Sequence, residues 1–145
     1  MEFVELLKIG RDLKENKCTD IKSFLEMVQT FDNCQENVFY VLLSNDVDIE
    51  KAIEGVYEEQ YTIYDNFQEY IDNLLDDYNL PDFIELDYLS MWYSTFRYEE
   101  SLYIDWQEWE WSKNRDEYGT NEQKELYRDY IRFNLECSNV IDFYY

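Results

Sequence analysis

Apolar residues recur along this chain at helical spacings, and most of the positions between them are acidic. Spacings of i, i+3, i+4 and i+7 put side chains on one face of an α-helix. The clearest case is Phe67, Tyr70, Ile71, Leu74, Leu75 and Tyr78, with Asp65 or Asn66 placed to cap the free N–H groups at its start. Ile21, Phe24, Leu25, Val28 and Phe31 predict another helix behind Thr19 or Asp20, and Ile49, Ala52, Ile53, Val56 and Tyr57 a third, opened by Asn45 or Asp46. Phe3, Leu6, Leu7 and Leu13 predict a first helix that Gly10 weakens. Val38 to Leu43 is apolar and partly β-branched, a run in which periodicity does not separate a buried helix from a strand; helix is the favoured reading.

Tyr61 to Tyr64 reads as a short extended piece. Leu80-Pro81-Asp82 breaks the chain, and Asp87 caps a short helix running through Tyr88, Trp92, Thr95 and Phe96. Beyond it the period changes. Leu102, Ile104 and Trp106 alternate with Tyr103 and Asp105, and Trp109 and Trp111 continue the alternation, which predicts a small β element near residues 101–111. Residues 113–120 read as a polar loop, and Thr120 with Gln123 forms a capping box for a last helix facing Leu126, Tyr127, Tyr130 and Ile131 inward. The expected fold is mainly α, in the α+β class: an acidic helical region over 1–97 and a Trp-rich β/helix region over 98–145, packed together as one unit.

Charge alters this picture of an ordinary helical protein. The 34 acids and 12 bases leave a net charge of −22, and they divide unevenly. Residues 1–22 balance at five each, whereas 23–96 hold seventeen acids against one cation, Lys51, and 52–96 hold eleven acids and no base. Such a charge opposes compaction through self-repulsion and excludes attraction to nucleic acid or to an anionic membrane surface, so partners should be basic. High charge is half the signature of disorder, but 46% hydrophobic and 19% aromatic residues with a single Pro supply ample apolar surface for a core. Solubility alone asks for a net charge magnitude of only about 2 to 8 in a small domain.

Little of the remaining chemistry points to catalysis. With no histidine in the chain, triads, imidazole bases and His-ligated zinc are removed, and no nucleophile, phosphate loop or cofactor motif stands out. The expectation is a protein that is not an enzyme and takes no cofactor. Asp46, Asp48 and Glu50 alternate like the opening of a calcium loop, but Lys51 stands where that loop needs Gly and Tyr57 where it needs Glu. Cys18, Cys34 and Cys137 match no metal spacing and fit reduced thiols in cytoplasm; no signal peptide or membrane span is legible. Fifteen Tyr and nine Phe read chiefly as core, and Trp106, Trp109 and Trp111 as packing of a small sheet or a dimer contact.

What remains is the acidic rows. Glu50, Glu54 and Glu58 lie at i, i+4 and i+8, a spacing at which like charges destabilise a helix by a few tenths of a kcal/mol per pair. Glu69, Asp72 and Asp76 share the polar side of the next helix with Asp77 at its flank, and Asp82 and Glu85 follow. Three charges over about 10 Å of helix axis approach the density of one phosphate strand, one per ~3.4 Å. These nine carboxylates are the expected partner contacts. One counter-signal is a cationic stripe, Lys124, Arg128 and Arg132, also at i, i+4 and i+8, readable as exposed pairing with Glu125 and Asp129 or as docking on an acidic row within the chain or across a dimer.

The segments 48–57 (DIEKAIEGVY), 61–78 (YTIYDNFQEYIDNLLDDY) and 80–88 (LPDFIELDY) together resemble the ArdA antirestriction family over roughly residues 23–96. Members share a comparable helix, a short connection, a second acidic helix and a Leu-Pro segment leading to an Ile-Asp-Tyr element, which here is Leu86-Asp87-Tyr88. Outside that span the pattern differs: the family's β-containing N-terminal domain has no counterpart, and Tyr93 and Ser94 stand near its usual Arg-Asp pair. The resemblance implies an elongated acidic dimer that imitates B-DNA and occupies the DNA-binding groove of a restriction-modification enzyme. The expected function is therefore a nucleic-acid-mimicking inhibitor of a bacterial defence system of restriction-modification or CRISPR-Cas type, acting in the host cytoplasm on a basic nucleic-acid-binding protein, with a homodimer as the form the resemblance implies. The alternatives are an acidic adaptor that binds one basic protein without mimicking DNA, and an assembly protein with incidental charge.

Overall fold

The computed structural model describes residues 1–81, 84–96, 99–104 and 120–145. Helix dominates, with a small antiparallel three-stranded sheet, as the mainly α reading expects. The chain forms two compact units: Met1–Thr62 with Asp142–Tyr145, and Ile63–Ile141.

The first unit holds α1 (Phe3–Glu15), α2 (Ile21–Gln29), α3 (Asn33–Ser44) and α4 (Ile49–Tyr57). Each of the last three starts at a side chain that accepts an otherwise orphaned N–H. The Asp20 carboxylate takes the Ser23 N–H (3.3 Å), and Asp32 takes that of Gln35 (2.8 Å) while the Gln35 side chain accepts from the Asp32 N–H (3.0 Å). Asp48 accepts from Glu50 and Lys51 at 3.1 and 3.2 Å, so α4 opens two or three residues later than Asp46 or Asn45 would have it. The ambiguous run is helical: Val38, Phe39, Val41 and Leu42 are all buried, a wide apolar stripe that a one-faced strand could not cover. α4 packs on α1, α2 and α3, burying Ile49, Ala52, Ile53, Gly55 and Val56, and leaves Tyr57 exposed rather than inward. In α1 the buried residues are Ile9 and Leu13; Phe3 and Leu7, expected on the inner face, are exposed.

Strand β1 (Tyr61–Tyr64), anticipated as an extended piece, is joined by β2 (Leu102–Ile104) and β3 (Val140–Phe143) in the order β1-β3-β2. β3 was not expected from the alternation of the sequence. Val140, Ile141 and Phe143 are all buried, and a strand covered on both faces shows no period of two. The chain leaves the first unit within β1 and returns within β3. Residues 105–119, including Trp106, Trp109 and Trp111, lie outside those described.

The second unit packs α5 (Phe67–Leu75), α6 (Tyr88–Ser94) and α7 (Asn121–Cys137) against one another, with a 3-10 turn at Asp76–Tyr78 after α5. Its core comprises Phe67, Ile71, Trp92, Leu102, Ile104, Ile131, Leu135 and Val140. The Phe67 ring meets Trp92 and Phe96 edge-on, each at 5.7 Å between centroids. Asn66 caps α5 (2.8 Å to the Glu69 N–H) and Asp87 caps α6 (3.0 Å to the Ser90 N–H), both as expected. The inner face of α5 is shorter than its pattern, because the 3-10 turn rotates the backbone out of register. Tyr78, in that turn, is exposed by 69%; Leu74, within α5 and before the turn, is exposed as well. Leu126 is likewise exposed on α7, and Ile131 and Leu135 carry its core contact.

Candidate functional site

The carboxylates singled out by sequence fall in both units. On α4, the three-membered row is not uniform. Glu50 is half-buried beside Cys18, whose thiol is pushed up chiefly by burial, with Glu50 adding to it. Glu54, also half-buried, accepts from the Tyr145 hydroxyl, ninety-one positions away in sequence. That bond, with burial and the Glu54 and Glu58 charges, pushes the Tyr145 phenol up to about 12. Glu58 stands exposed at the C-terminal cap. The α4 row therefore divides into two half-buried carboxylates, of which Glu54 is held by the fold, and one presented to solvent.

The second unit presents a denser set. Glu69, Asp72, Asp76, Asp77 and Glu85 are all exposed, and Asp82 lies outside the described residues. Glu69 is fixed at the start of α5, where its carboxylate accepts from the Asp65 N–H at 3.0 Å. Asp72 accepts from the Tyr88 hydroxyl at 2.8 Å, which ties α5 to α6. Burial first, and then this bond and the Asp72 charge, push the Tyr88 phenol up to about 12. Asp76 and Asp77 occupy the 3-10 turn, one helical turn or about 6 Å of rise beyond Asp72. An ionised carboxylate is an acceptor only, so such a row is suited to Lys and Arg side chains.

Two residues that anchor these carboxylates, Tyr88 and Tyr145, were not among the sequence candidates. Nothing local marks them: each meets its acid through tertiary packing. The lone cation of the acidic stretch also proves structural, because Lys51 Nζ lies 6.0 Å from the Phe143 ring centroid, at the outer reach of a cation–π contact. Asp48, part of the rejected calcium-like alternation, is occupied as the α4 cap. Among the described residues no group of three His, Cys, Asp or Glu side chains is placed to hold a metal ion, and no helix is long and apolar enough to cross a membrane.

Comparison of this chain with protein-family models, curated proteins and solved structures finds no match in any of the three.

Proposed function

We propose that this protein is a nucleic-acid-mimicking inhibitor of a bacterial defence system, of the restriction-modification or CRISPR-Cas type that its resemblance to the ArdA family implies. It occupies the partner's DNA- or RNA-binding groove, with carboxylates standing opposite the Lys and Arg residues that would meet phosphates. The observation that carries this reading is the exposed set Glu69, Asp72, Asp76, Asp77 and Glu85, displayed in a stretch from 52 to 96 that contains no base. Glu69 and Asp72 are held by hydrogen bonds to the scaffold, so less ordering entropy is lost on binding than for a flexible polyanion. Long-range attraction to a basic groove should speed association and make it sensitive to salt.

The test is competition. A purified type I restriction-modification complex is titrated with the protein against labelled duplex at rising salt, using the natural chain and an Asp72→Asn, Asp76→Asn, Asp77→Asn variant. At about 0.2–1 kcal/mol per exposed charge pair, the triple variant should weaken inhibition roughly three- to a hundredfold. Duplex must be displaced. Affinity insensitive to both salt and variant would remove the mimic, and simultaneous binding of duplex and protein would favour the adaptor instead.

A further inference from the structure

Lys124, Arg128 and Arg132 line a cleft of about 740 Å³ with Asp87, Ser90 and Ser94, between α6 and α7 in the second unit. Spaced i, i+4 and i+8, the three cations share one face of α7 in steps of about 6 Å, spanning about 12 Å of helix axis. In a chain with 34 acids and 12 bases, a cation should find an acidic neighbour easily. Yet among the described residues the ion pairs are Met1 with Glu36 and Arg132 with Asp129, the latter at 3.5 Å with both side chains exposed. Lys124 and Arg128 have none.

The acid on the facing wall is turned to its own helix and makes no ion pair with the stripe. Asp87 is occupied as the α6 cap, accepting both the Ser90 N–H and the Ser90 hydroxyl at 3.0 Å. Those bonds hold its carboxyl below the usual range, and the Arg132 charge acts in the same direction. Ser94 donates to the Ser90 carbonyl at 2.8 Å, so both hydroxyl protons are engaged within α6 and its cap and the serine oxygens remain as acceptors, that of Ser94 with the Thr95 hydroxyl 3.4 Å away. The cleft therefore offers three cationic donors along one side, and the Ser90 and Ser94 hydroxyl oxygens with the Asp87 carboxylate along the other.

We propose that this cleft binds a small organic polyphosphate of nucleotide size. Its volume falls within the ~300–1,000 Å³ typical of ligand pockets. The phosphoryl groups lie along Lys124, Arg128 and Arg132, where the arginines can take phosphate oxygens in pairs. A hydroxyl or amine elsewhere on the ligand donates to Ser90 or Ser94. The net charge of −22 repels polyanions at long range, but at about 0.15 M salt the screening length is only ~8 Å, so the local stripe governs the bound state. The inference rests on the α6–α7 cleft and is independent of the mimicry reading.

Isothermal titration with ATP and with inorganic triphosphate, at about 0.15 M salt, tests it in the full chain. Both should bind saturably, ATP more tightly because its ribose reaches the serine wall. Arg128→Gln should weaken binding about tenfold or more, as should Lys124→Gln. Lys8→Gln removes the same charge from α1, which does not line the cleft, and should change affinity less than about twofold. Both cleft positions lie on the surface of α7, and circular dichroism of each variant should match the parent. Absence of saturable heat up to about 5 mM with either probe, binding of ATP without triphosphate, or equal losses in the Lys8 and Arg128 variants would each overturn the assignment.

Discussion

Gly55→Ala is a substitution that helix propensity and tertiary packing predict with opposite signs. In an exposed helix interior it would stabilise by about 0.8–1.0 kcal/mol. Here a Cβ at Gly55 would stand 2.3 Å from two Phe143 ring carbons and 2.9 Å from Tyr145 Cβ. The ring would have to retreat by about 1 Å to reach ordinary contact, and Phe143 is only 3% exposed. Overpacking costs about 1–3 kcal/mol, and expelling the ring would approach the 3–5 kcal/mol of a Phe→Ala truncation. After the propensity gain, the net effect is a loss of about 0–2 kcal/mol if the ring yields in place and about 2–4 kcal/mol if it is expelled. Urea unfolding followed by circular dichroism at constant m-value measures it. In a Phe143→Ala background the same change should become neutral or stabilising, which isolates the contact as a coupling energy. Tyr145 should also leave Glu54, letting its phenol titrate nearer its ordinary value. Stabilisation by Gly55→Ala alone would refute the docking of the last four residues on α4, and with it the account of why Glu54 is not free.

Other consequences follow from capping, charge and tyrosine burial. Asn66→Ala should destabilise the protein by about 1 kcal/mol, read from the urea midpoint, because the Glu69 N–H loses its acceptor. Raising salt from about 0.01 to 0.15 M shortens the screening length from ~30 to ~8 Å; with −22 charges the melting temperature should rise, whereas a fold held mainly by ion pairs would soften. Tyr40, Tyr61 and Tyr88 are pushed up to about 12 chiefly by burial, and Tyr145 chiefly by its bond to Glu54. Because the folded state favours the protonated phenol, this stabilisation is complete below the ordinary value near 10 and is lost as pH rises toward and through 12. Ultraviolet titration should show these phenols ionising late and together with alkaline unfolding, and Tyr88→Phe should remove one late-ionising group.

Patterns read over short windows carried most of the helical architecture. Phe24 and Val28, Ile49, Ala52, Ile53 and Val56, and Phe67 with Ile71 are buried where their periodicity places them, and Asp20, Asn66 and Asp87 cap the helices they precede. Capping and amphipathicity are local, set by residues three or four positions apart, so sequence suffices. The failures have physical causes of their own. Tyr78 continues the α5 pattern flawlessly, yet the backbone tightens into a 3-10 turn and ends at Asn79 in a left-handed conformation, φ 47°, which takes Tyr78 off the inner face.

The carboxylates show the same division. Their identity, their number and the near absence of cations between them are properties of the sequence, and these alone make the protein strongly acidic. Which of them face solvent is decided by packing between distant residues. Glu50 lies half-buried beside Cys18 and Glu54 accepts from Tyr145, over separations of thirty-two and ninety-one positions, whereas Asp72 accepts from Tyr88 sixteen positions away and stays exposed. The pairing of α6 with α7 likewise converts a stripe of three cations into the wall of a cleft. A hydrophobic period states which side of a helix is apolar, but the neighbour that covers each polar side chain is fixed only when the elements meet.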